Sequence, residues 1–170
     1  MERPNTKLEQ ALKKWRDGAS SLEETVALSR ELGNQRVEEG IPVLIDFLRH
    51  DDEVVRYNAV IALGFDLHYK PATAQLLNIL AQDEDADVRD AAAGAIRVLW
   101  QNTANREVLG ALAKSALGDA DEGVRKAAYR SLLIVKGISE DEHLRLLSTS
   151  RQPVDRVVVE GILKGGTGQE

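Results

Sequence analysis

The sequence predicts an all-α chain of about five stacked two-helix units, an α-solenoid or α-α superhelix. Three observations carry that prediction. A nine-residue pattern recurs without gaps, as Val55-Arg56-Tyr57-Asn58-Ala59-Val60-Ile61-Ala62-Leu63, as Val88-Arg89-Asp90-Ala91-Ala92-Ala93-Gly94-Ala95-Ile96 and as Val124-Arg125-Lys126-Ala127-Ala128-Tyr129-Arg130-Ser131-Leu132. Four prolines, 4% aromatics and a Leu and Ala content of about a quarter favour helices over a sandwich or barrel. Ahead of each copy, apolar residues recur at i, i+3 and i+4, the period of a helix with one buried face. A length of 170 residues, 43% hydrophobic and 29% charged, suits one folded domain or one compact array.

The elements follow in chain order. Roughly Lys7 to Arg16 reads as a capping helix, with Leu8, Leu12 and Trp15 on one face. A faint first unit carries Leu32-Gly33, which matches Leu63-Gly64 at a distance of 31; it departs from the pattern by Thr25 in the arginine slot and Glu31 where later units carry Ala62 or Ala95. First helices are marked by Ile41, Leu44, Ile45 and Leu48, by Leu76, Leu77 and Leu80, and by Leu109, Leu112, Ala113 and Leu117. Pro42, Pro71 and Pro153 fall near first-turn positions, where a missing N–H costs little. Second helices start after acidic loops at 51–53, 83–87 and 119–122, whose carboxylates cap the helix and favour its positive end. From Arg56 to Arg89 is 33 residues and from Arg89 to Arg125 is 36. A fourth copy, Val154 to Ile162, is read with Asp155 in the arginine slot, 30 residues after Arg125. The units are therefore expected at about 5–34, 36–67, 71–101, 105–137 and 139–164, with a flexible Gly-rich tail at 165–170. Small residues in the second helices, such as Ala59, Ala62, Ala91, Ala92, Ala95, Ala127 and Ala128, allow close packing of successive units.

The run from Leu32-Gly33-Asn34-Gln35-Arg36 through Ile41-Pro42-Val43-Leu44, followed by Asp52-Glu53-Val54-Val55-Arg56 and Ala62-Leu63-Gly64, resembles the bacterial HEAT-like repeat of the phycobilin-lyase type. The resemblance spans roughly residues 20–164. It implies a right-handed α-solenoid whose second helices line a concave face. The Trp/Leu-Gly/Tyr pattern of tetratricopeptide repeats and the Thr-Pro-Leu-His motif of ankyrin repeats are absent.

Composition removes several chemistries. The chain has no cysteine, hence no thiolate metal site, disulfide or thiol nucleophile. Asp83, Asp85 and Asp87 only superficially suggest a calcium loop, since Val88 and Gly94 stand where glycine and a bidentate glutamate are needed. His50, His68 and His143 are far apart and lack metal-ligand spacing. No nucleophile elbow or Walker loop occurs, and the Gly-rich end is a tail, not a phosphate cradle. A net charge of −6 and no cluster of four basic residues argue against nucleic acid. No apolar run approaches the roughly 18 residues a membrane span needs, and Met1–Asn5 opens no signal peptide, so a cytoplasmic protein is expected.

What remains is a surface. Arg56, Arg89 and Arg125 are read as a structural ladder of arginine–carboxylate pairs between neighbouring units, not as an anion-binding row. The residue after each ladder arginine, and those four and eight further on, should point away from the core onto the concave face. They are Tyr57, Ile61 and Phe65, then Asp90, Gly94 and Val98, then Lys126, Arg130 and Ile134, then Arg156 and Glu160, with Tyr69 added if the helix runs on. Large apolar residues in a solvent-facing row suggest a docking surface, Gly94 leaving room for a partner and the cations attracting its acidic groups. The alternative is that Tyr57, Ile61 and Phe65 pack on each other or on the N-terminal cap. The expected function is a non-catalytic scaffold holding a protein or peptide, without cofactor. A phycobilin lyase or lyase-like subunit and a HEAT-like nucleic-acid binder are the alternatives. The chain is read as a monomer, with self-association placed at the C-terminal end, where Val157, Val158, Val159, Ile162 and Leu163 lack a polar outer face.

Overall fold

The computed structural model describes residues 6–139, 141–142, 145–146 and 154–165. Met1–Asn5, His143, Pro153 and the tail beyond Gly165 lie outside the described residues. Within them the fold is all-α: α1 (Thr6–Arg16), α2 (Leu22–Asn34), α3 (Ile41–Phe47), α4 (Glu53–Ile61), α5 (Thr73–Gln82), α6 (Ala86–Trp100), α7 (Arg106–Gly118), α8 (Glu122–Lys136) and α9 (Arg156–Leu163). Short 3₁₀ turns at Glu38–Gly40 and Lys70–Ala72 lead into α3 and α5, with Pro42 in the first turn of α3 and Pro71 within the second 3₁₀ turn.

Each second helix starts on a side-chain cap at the same point of its unit. Ser21 accepts from the Glu24 amide while Glu24 reaches back to Ser21. Asp52, Asp85, Asp121 and Asp155 cap α4, α6, α8 and α9. A cap of this kind contributes about 1 kcal/mol and fixes where the helical period begins. The caps also correct the register of the last unit. Each ladder arginine lies four residues after its cap, so the fifth unit's slot belongs to Val159, and Asp155 is the cap itself. Val159 is fully buried where its counterparts in the second to fourth units are cations.

The core lies between two layers of helices. Leu32, Leu44, Leu63, Leu76, Ile96, Leu112 and Leu132 are fully buried, each stabilising the array by about 1.5–3 kcal/mol. Along the array the second helices pack on one another, α2 on α4, α4 on α6 and α6 on α8, and α5 packs on α7 in the layer of first helices. Two glycines set that spacing. A Cβ on Gly33 would lie 2.8 Å from the Ala62 Cβ, and one on Gly64 would lie 2.3 Å from the Ala95 Cβ. The helix of the second unit widens into a π turn at Ala62–Asp66 as it passes this contact, and the chain leaves it with His68 in the left-handed region.

The ends differ from the middle. Leu8 is buried, and Trp15 meets Phe47 edge to face with ring centroids 5.2 Å apart, so α1 covers the first joint. At the other end α9 packs on α7 and α8 through Val159 and Ile162, while Val157 is 79% exposed and Leu163 is also exposed.

Candidate functional site

The ladder arginines occupy a shared geometry with one exception. Arg56 donates from Nε and Nη2 to the two carboxylate oxygens of Asp83, at 2.8 and 2.9 Å. Its Nη1 donates to the carbonyls of His50 and Asp51. Arg89 repeats the arrangement one unit on, with both bonds to Asp119 at 2.9 Å and Nη1 on the carbonyls of Asp83 and Glu84. Arg125 makes the carbonyl half, to Asp119 and Ala120, but has no carboxylate partner among the described residues. Sequence explains the difference. Asp83 and Asp119 each lie two residues before a cap, and the equivalent position of the fifth unit is Pro153.

In the loops before α6 and α8 two aspartates divide the work. Asp85 and Asp121 cap their helices, while Asp83 and Asp119 take the preceding unit's arginine and the amide of the cap residue. Burial pushes the Asp119 carboxyl up, but the Arg89 hydrogen bonds, the Asp121 amide and the guanidinium charge outweigh it and hold the group below its usual value. Hydrogen bonding to Asp83 and Asp119 raises Arg56 and Arg89 against the opposing effect of burial. These carboxylates are committed to structure. Among the described residues no group of three or more His, Asp or Glu is placed to hold a metal ion. His50 accepts the Asp52 amide, and His68 is exposed.

The predicted surface row divides in two. Tyr57 is 39% exposed on α4, with Val54 one turn before it 41% exposed. Ile61 and Phe65 are half-buried and pack on the core. Phe65 lies over Gly94, so close that a Cβ there would come within 3.0 Å of the ring. The space beside Gly94 expected for a partner is therefore filled by Phe65. Tyr69 does not continue the row, because the helix has ended and the Tyr69 amide donates to the Leu63 carbonyl. Asp90, Lys126 and Arg130 are exposed; Val98 and Ile134 are half-buried. Lys126 is engaged by Glu122 at 2.5 Å. In the corrected register of α9, Glu160 holds the row's first position and Arg156 stands just after the cap.

Around Tyr57 the second helices leave an open groove of about 600 Å³, running from Arg30 on α2, past Glu53, Val54, Tyr57 and Asn58 on α4, to Asp85, Asp87 and Asp90 on α6. Asn58 organises its floor: its amide donates to the Val54 carbonyl and its oxygen accepts from Arg30 Nε at 2.9 Å. Burial raises the Asp90 carboxyl, repulsion from Asp87 adds to this, and Arg130 opposes it. Sequence reasoning missed Val54, Asn58 and Arg30 as part of this surface. Counting from the caps would have found Arg30, which holds the same slot of α2 as Ile61 does of α4.

A family model described as HEAT repeats matches residues 7–97 and again residues 73–163. Together the two matches run from α1 into α9. No curated protein matches the chain. No helix among the described residues is long and apolar enough to cross a membrane.

Proposed function

Because the chain belongs to the HEAT-repeat family, we propose that it is a non-catalytic scaffold that holds a protein or peptide on its concave second-helix face. Repeat arrays of this kind commonly serve as interaction scaffolds and present extended concave surfaces. The observation that carries the reading is the exposed pair Val54 and Tyr57 in the groove across α2, α4 and α6. An exposed aromatic beside an aliphatic, rimmed by polar groups, is the composition of an interface anchor. Neither residue supports the core, which leaves both free to meet a partner.

The test is a random peptide library selected against the immobilised full chain, with Tyr57→Ala as a parallel target. Peptides retained by the natural chain and lost on the variant support the concave reading. Peptides retained equally by both contradict it. The chromophore-handling alternative, drawn from the phycobilin-lyase-type resemblance, makes a separate forecast: a bilin mixed with the chain would acquire a protein-induced absorbance change. On the scaffold reading it acquires none, and the protein works as a cytoplasmic monomer without cofactor.

A further inference from the structure

The groove's charges say which kind of segment it takes. Val54 and Tyr57 form an apolar strip one turn long, and the rim about them is acidic: Glu53 on α4, Asp87 and Asp90 on α6. None of these three carboxylates has an ion-pair partner among the described residues, unlike Asp83 and Asp119 in the ladder. The one cation among the described residues lining the groove, Arg30, already donates to Asn58. We infer that the partner is a basic segment, an extended stretch of chain with Lys or Arg beside an apolar side chain, lying across α4 and α6. This rests on the concave reading proposed above and names its partner class.

Three kinds of contact support that choice. An apolar side chain of the segment covers Val54 and the Tyr57 ring, removing both from water. A cation beside it faces Glu53, Asp87 and Asp90, which have no ion-pair partner among the described residues, and an arginine or lysine can also lie over the Tyr57 ring face. Partial burial, with repulsion from Asp87 added, already raises the Asp90 carboxyl against the opposing charge of Arg130. A cation placed between the two aspartates relieves that repulsion, which an acidic or neutral segment would leave in place. Adjacent packed helices lie about 8–10 Å apart, so crossing from α4 to α6 takes about 10 Å, the reach of about three extended residues. The chain's net charge of −6 adds long-range attraction for such a segment.

The library selection described above tests this by the composition of what it recovers, followed by anisotropy titration of one recovered peptide against the full chain. Tyr57-dependent peptides should be enriched in Lys and Arg next to an apolar residue. Their binding should weaken by about tenfold in Asp87→Asn with Asp90→Asn, and should fall with added salt. Glu53→Gln, on a different helix, should weaken it as well, with unchanged circular dichroism in each variant. Tyr57-dependent peptides without basic residues overturn the basic-segment inference and leave the concave reading intact. Basic peptides indifferent to all three carboxylate changes also overturn it. Absence of any Tyr57-dependent peptide overturns the concave reading and this inference with it.

Discussion

Arg89 and Asp119 meet through two parallel hydrogen bonds, 2.9 Å each, across the joint between successive units. Arg56 and Asp83 form the same fork one joint earlier. A bidentate pair of this kind, nearly buried on both sides, fixes two helices in register as well as holding them together.

Removing one arm should therefore cost more than a surface pair would. Arg89→Ala leaves Asp119 buried with only its amide partner, a loss of about 1.5–3 kcal/mol. Arg56→Ala should cost about as much, because its contacts are equivalent. Sequence position alone suggests that the middle arginine matters most, but the geometry separates only Arg125, which has no carboxylate partner among the described residues and should cost least. Urea melts of the three variants check the order. A wild-type midpoint for Arg89→Ala would remove the ladder from the account of stability.

The same pair sets an acid limb. Asp119 is held below its ordinary value in the folded chain. The folded state therefore binds fewer protons than the unfolded state in this range. The resulting stability is present in full above the ordinary carboxylate value, near 4, and is lost as pH falls through the depressed folded value. Asp119→Asn should lower the melting temperature at neutral pH and flatten its decline on acidification. A variant whose acid limb stays parallel to that of the natural chain would place the pH dependence elsewhere.

Two glycines give opposite forecasts. In Gly64→Ala the new methyl meets the Ala95 Cβ at 2.3 Å and its Cα at 2.9 Å, so the joint between the second and third units must open. Overpacking of this kind costs about 1–3 kcal/mol. Gly110 lies inside α7 with nothing within 4 Å of its added Cβ. Gly110→Ala should stabilise by about 0.5–1 kcal/mol through helix propensity alone. Thermal melts of the two variants should move to either side of the natural chain, and a Gly64→Ala melt at or above that of the natural chain would contradict the close approach at Ala95.

The two-helix period was legible because the ladder arginine, the acidic cap and the apolar positions repeat together. The register of the last unit was not, because Val154-Asp155-Arg156 imitates the Val-Arg pattern while Asp155 is the cap. Counting from caps instead of from the pattern recovers it. The surface row was half legible. Tyr57 follows from helical spacing, whereas the place of Phe65 depends on a π turn and on Gly94 of the next unit, contacts made only after the units stack. No local signal in 62–66 specifies them.

Sequence spacing treats Tyr57 and Phe65 as equivalent members of one solvent-facing row, which predicts that replacing both leaves the fold untouched. The structure separates them. Tyr57 is 39% exposed and contributes little to the core, so Tyr57→Ala should change stability by about 0.5 kcal/mol or less. Phe65 is half-buried over Gly94, and truncating it uncovers that contact and part of the core beneath. Phe65→Ala should destabilise by about 2–3 kcal/mol, short of the loss for a fully buried phenylalanine. Urea melts of the two single variants, with peptide capture measured on Tyr57→Ala alone, test the separation. Equal melting midpoints for both variants would return Phe65 to the solvent-facing row, whereas a large loss for Tyr57→Ala would assign that ring to the core and remove the anchor on which the docking surface depends.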